Sequence, residues 1–239
     1  MTGRNAYLVG VVLGLAVSAT EARAESVPPP RMHPDTVTIA GLRKVPPKEA
    51  GDMHCADIGA PTHPGSPVDT DTDLLKNRID TGKYVDVPLG SVLALPWKGL
   101  PRRRYKWTAA ESRSVARDEE AAIRLTGYLI SVKQEGPEAT NCESTAAAWH
   151  DWHLWLVATE AEAAARDKAH AIVIEITPRV RALHQQSWDI HQLAAWAHAG
   201  QRLQVSGWLL LDPDHPDQVG KSRGTIWEVH PVMRIGPAR

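Results

Sequence analysis

Two short segments of this chain each carry an acid and a histidine two residues apart. Asp151 and His153 lie in Asp151-Trp152-His153-Leu154-Trp155-Leu156-Val157, and Glu228 and His230 lie in Trp227-Glu228-Val229-His230. Successive side chains of a β-strand point to opposite faces, so each acid shares a face with its histidine. Trp152, Leu154 and Leu156, and likewise Trp227 and Val229, take the opposite face and read as core. Imidazoles and carboxylates are ligands for zinc, or for manganese where carboxylates dominate. Asp151, His153, Glu228 and His230 are therefore candidate ligands of a divalent metal. The competing reading has Asp151 and His230 in structural hydrogen bonds or ion pairs, with Glu228 solvated, because two ligand types on one strand are not yet a site. The chain contains no His-Glu-x-x-His or phosphate-loop pattern, so neither of the enzyme classes those motifs mark is indicated.

These segments need a scaffold, and the pattern from 121 onward supplies one. Ile123, Leu125, Gly127 and Leu129 alternate with Arg124, Thr126, Tyr128 and Ile130, a long first strand with a glycine at its middle. The second strand is Asp151–Val157. The third runs over 170–177, with Ile172, Ile174 and Ile176 on one face and Pro178 as its stop. A helix follows, with Asp189 as cap, Gln192 to complete a capping box, Trp188 and Leu193 as a staple, and Gly200 at its end. The fourth strand, 202–212, again carries a central glycine, Gly207, and the fifth runs over 225–235. Upstream, 72–79 reads as a short helix and 84–97 as irregular chain on the main domain. Thr108 and Glu111 read as the capping pair of a helix starting there.

The first 24 residues have the composition of a secretory signal: Arg4, an apolar run over 6–17, and Ala22-Arg23-Ala24 before the expected cleavage. No later segment has membrane length. Residues 25–70 are broken repeatedly by proline and read as a largely disordered tether. Within it His54, Cys55, Asp57 and His63 lack a recognised ligand spacing. Residues 71–120 read as an N-terminal extension packed on the domain of 121–236. Export places the two cysteines, Cys55 and Cys142, where a disulfide persists, and one bridge between them is expected, with two unpaired thiols as the alternative. The net charge of −1 argues against a nucleic-acid binder, although Arg102-Arg103-Arg104-Tyr105-Lys106-Trp107 interleaves basic residues with aromatics. With nine Trp and no Phe, tryptophan is the bulky core filler, and each buried indole N–H needs a partner.

The order strand, strand, strand, helix, strand, strand, with Gly127 and Gly207 centred in the first and fourth strands, resembles the OB-fold, a five-stranded barrel with a helix between strands three and four. An α+β sandwich with one covering helix is the competing fold. The stretches Thr126-Gly127-Tyr128, Ser206-Gly207-Trp208 and Trp227-Glu228-Val229-His230-Pro231 look like those of uncharacterised exported bacterial OB-fold proteins. The resemblance implies a ligand face on strands two and three, between the loops at 134–150 and 213–224. Those loops carry Glu138, Asn141, His150, Asp214, His215, Lys221 and Arg223 as candidate ligand-binding residues. It also implies that strands two and five are not neighbours, which counts against a metal site shared by Asp151, His153, Glu228 and His230.

Two functions follow. The leading one is an exported, periplasmic or extracellular, non-enzymatic binding module for a small molecule, saccharide or protein. The alternative is a secreted metal-dependent, nuclease-like hydrolase using the Asp/His/Glu groups, with a divalent metal such as zinc. A metal analysis separates them.

Overall fold

A computed structural model describes residues 55–60, 67–184 and 188–239; the side chains of 67–70 and 117 are outside the description. The expected signal segment, most of the expected tether, and His54 and His63 lie outside the described residues. In chain order the described elements begin with α1 (Pro67–Asn77), β1 (Val85–Asp86), α2 (Leu89–Leu93) and α3 (Ala109–Glu119). β2 (Ala122–Gln134), β3 (Trp152–Val157), α4 (Glu160–Ala165) and β4 (Ile172–Ile176) follow. The chain then runs through α5 (Pro178–Leu183), α6 (Ile190–His198), β5 (Arg202–Leu211) and β6 (Trp227–Pro237).

β2 to β6 form a closed five-stranded barrel in the order β2-β3-β4-β6-β5, with β5 pairing back onto β2. β4 and β6 run parallel, and the other four barrel pairings are antiparallel. The short β1 adds a sixth, parallel strand on β2. Closure comes from the two long strands. β2 pairs with β5 through 122–128 and with β3 through 128–134, so it turns from one neighbour to the other at its middle. Gly127 sits at that turn: a Cβ there would lie 2.5 Å from the Val157 carbonyl oxygen. In β5 the register against β6 slips around Gly207, where a Cβ would lie 2.4 Å from the Pro231 carbonyl oxygen. Both glycines allow backbone to approach where any side chain would collide. Alanine at either position is expected to cost about 1–3 kcal/mol, read as a lower urea midpoint, because backbone rather than a movable side chain must give way.

The barrel interior is filled by the faces expected from alternation: Leu125 and Leu129 of β2, Leu154 and Leu156 of β3, the three isoleucines of β4, Leu209 of β5 and Trp227 and Val229 of β6. The buried tryptophans divide among three apolar clusters. Trp227 belongs to this core, Trp155 to a second apolar cluster with Ile130 and Val173, and Trp208 to a third with Val180 and Met233. Each buried indole has its partner. Trp107 donates to the Pro101 carbonyl (2.7 Å), Trp155 to that of Ser222 (2.7 Å), and Trp208 and Trp227 to those of Asp80 and Pro96 (3.2 Å each).

The helix between β4 and β5 stands where capping signals placed it. The Asp189 side chain accepts from the His191 N–H, one residue short of the box expected with Gln192. A second helix, α5, precedes it, with Pro178 in its first turn and the Thr177 side chain capping Val180 N–H. Thr108 and Glu111 form the full capping box at the start of α3. The helix expected over 72–79 begins earlier and ends at Asn77, which leaves Ile79 exposed while Leu74 and Leu75 are buried. Cys55 and Cys142 are bridged. With the two cysteines 87 positions apart in sequence, loop closure in the unfolded chain makes the bridge worth about 4 kcal/mol. Reduction is therefore expected to lower the denaturant midpoint strongly. Among the described residues no helix is long and apolar enough to cross a membrane.

Candidate metal centre and its cavity

The outer face of β3, β4 and β6 carries a buried polar cluster. His153 pairs in register with Glu175, and the parallel register Val173–Glu228 and Ile174–Val229 carries Glu175 to the level of His230. β4 therefore stands between the two strands that bear the sequence pairs and supplies the acid that joins them. His153 Nε2 lies 2.9 Å from Glu175 Oε1, and His230 Nδ1 lies 2.9 Å from Glu175 Oε2. Glu228 Oε1 hydrogen-bonds His230 Nδ1 at 3.2 Å, and His230 Nε2 faces Asp151 Oδ2 at 3.9 Å. Asp151, Glu228 and His230 are wholly buried, and Glu175 is 2 % exposed.

An outer barrel face is buried only if something covers it. Here the β2–β3 loop, the β5–β6 loop, α1 and the 102–105 segment do so. Asn141 donates its side-chain N–H to Asp151 Oδ1 at 3.0 Å. The turn that holds Asn141 is fixed from α1: Asn77 donates to the Thr140 carbonyl (2.9 Å), and the Thr140 hydroxyl donates to Asp73 (3.1 Å). The Cys55–Cys142 bridge anchors the next residue of that turn. On the other side Arg223 Nη1 reaches Asp212 (3.3 Å) and Glu228 Oε2 (3.6 Å).

The electrostatics follow from three buried carboxylates facing two imidazoles. Burial raises the carboxyl of Asp151; His230 counters it and Glu175 adds to it. Burial, then the neighbouring Glu175 and Asp212, raises Glu228. Glu175 goes the other way. Burial opposes its ionisation, but the imidazoles of His153 and His230 hold it well below the usual carboxylate range. Burial also disfavours both imidazoliums, yet Glu175 outweighs it, and His153 is raised to about 9 and His230 to about 10.

Asp151, Glu175 and His230 each offer a ligand atom, and these atoms lie within 4.8 Å of one another. Two are buried without a hydrogen-bond partner, Asp151 Oδ2 and His230 Nε2, while Glu175 Oε2 stands 2.9 Å from His230 Nδ1. Buried polar atoms are normally satisfied, so a set of them converging from three strands is the arrangement a cation completes. Zinc ligands stand about 2.0–2.2 Å from the ion, so coordination asks these atoms to close by about 1 Å. The nitrogen and oxygen donors suit zinc or manganese.

His153 and Glu175 of the cluster line a cavity of about 750 Å³, together with Glu138, Asp212, Asp73, Glu143 and Asp214 and with Lys76, Arg102, Arg103 and Tyr105; Asp151, Glu228 and His230 lie behind it. Burial, then the Asp151 carboxylate, raises Glu138 to about 7. Its Oε1 is 4.0 Å from His153 Nε2.

Of the four ligands expected from sequence, Asp151 and His230 converge. His153 pairs with Glu175 and Glu135 (3.2 Å to the latter) rather than with Asp151. Glu228 orients His230, and the expectation that Glu228 is solvated is wrong, because the two loops and α1 cover that face. Glu175 was missed. Its signal was an acid inside the otherwise apolar Ile172-Val173-Ile174-Glu175-Ile176. Among the loop residues, Glu138, Asp214 and His215 line the cavity. Asn141 and Arg223 stand behind it as supports of Asp151 and Glu228. The other two point elsewhere: the His150 ring bonds the Ser144 carbonyl within its own loop, and Lys221 is exposed. The basic run 102–106 is tied down: Arg104 is buried against Glu119 and the Leu211 carbonyl, and Trp107 is buried. Comparison with protein-family models, with curated proteins and with solved structures finds no match for this chain.

Proposed function

We propose that this chain is an exported OB-fold protein that holds one divalent metal ion on the outer wall of its barrel and acts as a metal-dependent hydrolase. The observation that carries the proposal is the convergence of buried Asp151, Glu175 and His230, with Asp151 Oδ2 and His230 Nε2 unpartnered, behind a cavity that Glu175 lines. Barrel strand order supports the OB assignment. The signal-like first 24 residues and the disulfide support export.

A bound divalent ion would supply an activated water and polarise the substrate oxygen. The chain's own residues do the rest. Asp151 and Glu175 hold negative charge in the cluster, Glu228 and Asn141 orient His230 and Asp151, and His153 positions Glu175. Glu138 accepts the proton of the attacking water as the new bond to its oxygen forms, and returns it to the leaving oxygen as the old bond breaks. A carboxyl raised to about 7 suits both transfers at neutral pH.

The test is turnover of chromogenic carboxylic and phosphate esters with zinc or manganese, with chelator, and after metal is restored. Hydrolysis that chelator stops and metal restores is the expected result. No turnover of either ester class by metal-loaded protein would leave only the metal centre standing.

One observation favours a second reading. Each imidazole already lies 2.9 Å from Glu175, so two protons can balance the buried acids as one divalent ion would. The chain is then a non-enzymatic binding module for a small molecule, saccharide or protein, insensitive to chelator.

A further inference from the structure

Among the acids that line the cavity stand cations that the hydrolase reading does not explain. Lys76, near the C-terminal end of α1, lines the cavity and has no hydrogen bond or ion pair within contact distance among the described residues. Burial disfavours its ammonium, but the carboxylates of Glu138, Glu175, Asp212 and Glu228 outweigh it and keep Lys76 charged. An ammonium offers three N–H donors, and here they stand free at a cavity wall. Beside it Arg103 pairs with Asp214 at 3.0 Å and Arg102 with Asp217 at 3.6 Å, all four side chains about half exposed or more. Exposed pairs of this kind contribute little, so either guanidinium can exchange its partner for a ligand at small cost. Tyr105, 40 % exposed, closes the same wall with an aromatic face.

We propose that Lys76, Arg103 and Arg102 form a phosphate-binding subsite, and that the ligand of this cavity is a phosphate ester of about mononucleotide size. This rests on the metal reading above and deepens it by naming the substrate class. Phosphate fits better than a single carboxylate because three separate cations ask for more than one negative charge and several acceptor oxygens. The size follows from the cavity, about 750 Å³, within the roughly 300–1,000 Å³ of small-molecule sites. The four carboxylates that hold Lys76 would repel an anion, and a divalent ion held by Asp151, Glu175 and His230 would offset that repulsion. Phosphate binding is thus coupled to metal binding, each strengthening the other.

The experiment uses the full chain and measures zinc stoichiometry first, then titrates inorganic phosphate, a 5′-mononucleotide and a hexose phosphate calorimetrically into zinc-loaded and zinc-free protein. The expected result is phosphate binding that requires zinc. It should weaken by about tenfold or more in Lys76→Met and several-fold in Arg103→Ala, and be largely kept in Lys76→Arg, with zinc stoichiometry the same in all three. Phosphate affinity unchanged in Lys76→Met and Arg103→Ala, or no phosphate binding to zinc-loaded protein, overturns the subsite. Were zinc not to bind while phosphate still bound in a Lys76-dependent way, the subsite would stand and the metal centre would fall. The source is read from Tyr105→Ala: weaker binding of the mononucleotide alone marks a nucleoside phosphate, and equal effects on both esters mark a ligand held by its phosphate and sugar.

Discussion

Alanine at His230 is expected to lower divalent-metal affinity by about a hundredfold or more and to remove hydrolytic turnover to the same degree, because it deletes a ligand rather than a support. The ring is wholly buried between Glu175, Glu228 and Asp151. Losing it also leaves three carboxylates facing one another, so the variant should be less stable. Asp151→Asn separates the two effects. It keeps the shape and the contact with Asn141 but gives up the charge, and should lose metal with a smaller loss of stability. Glu228→Gln acts one step back, through the hydrogen bond to His230. Supports of metal ligands typically change affinity by about 10–100-fold. Metal content after dialysis and turnover with added metal check all three. Equal metal retention in His230→Ala and the parent chain would exclude His230 as a ligand.

Glu175→Gln should have the largest effect on the metal-free protein, on the order of 3–5 kcal/mol, because it removes the partner of two buried imidazoles. The pH dependence carries its signature. In metal-free protein His153 is raised to about 9 and His230 to about 10, in each case because Glu175 outweighs burial. A group whose pKa is raised on folding contributes stability that is full below its unfolded value, about 6.5 for histidine. That contribution fades as pH climbs toward 9–10. Metal-free parent protein should therefore lose stability between about pH 6.5 and 10, and Glu175→Gln should flatten that slope. Metal affinity must run the opposite way, since ligand imidazoles bind deprotonated, so it rises over the same window. Denaturant midpoints measured from pH 6 to 10, with and without zinc, show whether the two trends cross.

The parts of this picture that sequence could reach are those written locally. Alternation placed β2 to β6 within one to two residues at most ends, because a strand half facing a core must alternate. Thr108–Glu111 announced α3 for the same local reason. Gly127 and Gly207 marked where the long strands turn, since close backbone approach excludes a side chain. What lay beyond reach depends on chain segments distant in sequence. Glu175 joins the two histidines only because β4 lies between β3 and β6, and no spacing in the chain encodes that. Glu228 became buried because α1 and two loops cover an outer face that alternation alone assigns to solvent. The helix read over 72–79 did not single out Lys76, whose place beside the cavity appears only in the folded chain. Pro178 was read only as a strand stop, and the structure also uses it to open α5, since a proline fits the first turn of a helix.

The central claim is that Asp151, Glu175 and His230 bind one divalent ion. Its most direct test is a zinc titration of the full chain at neutral pH, after stripping with chelator, read by calorimetry and thermal melting. The account predicts one zinc per chain, a raised melting temperature, and release of a proton on binding as the His230 imidazole gives its own up. Stripped protein that takes up no zinc or manganese, and melts at the same temperature with or without them, would contradict it.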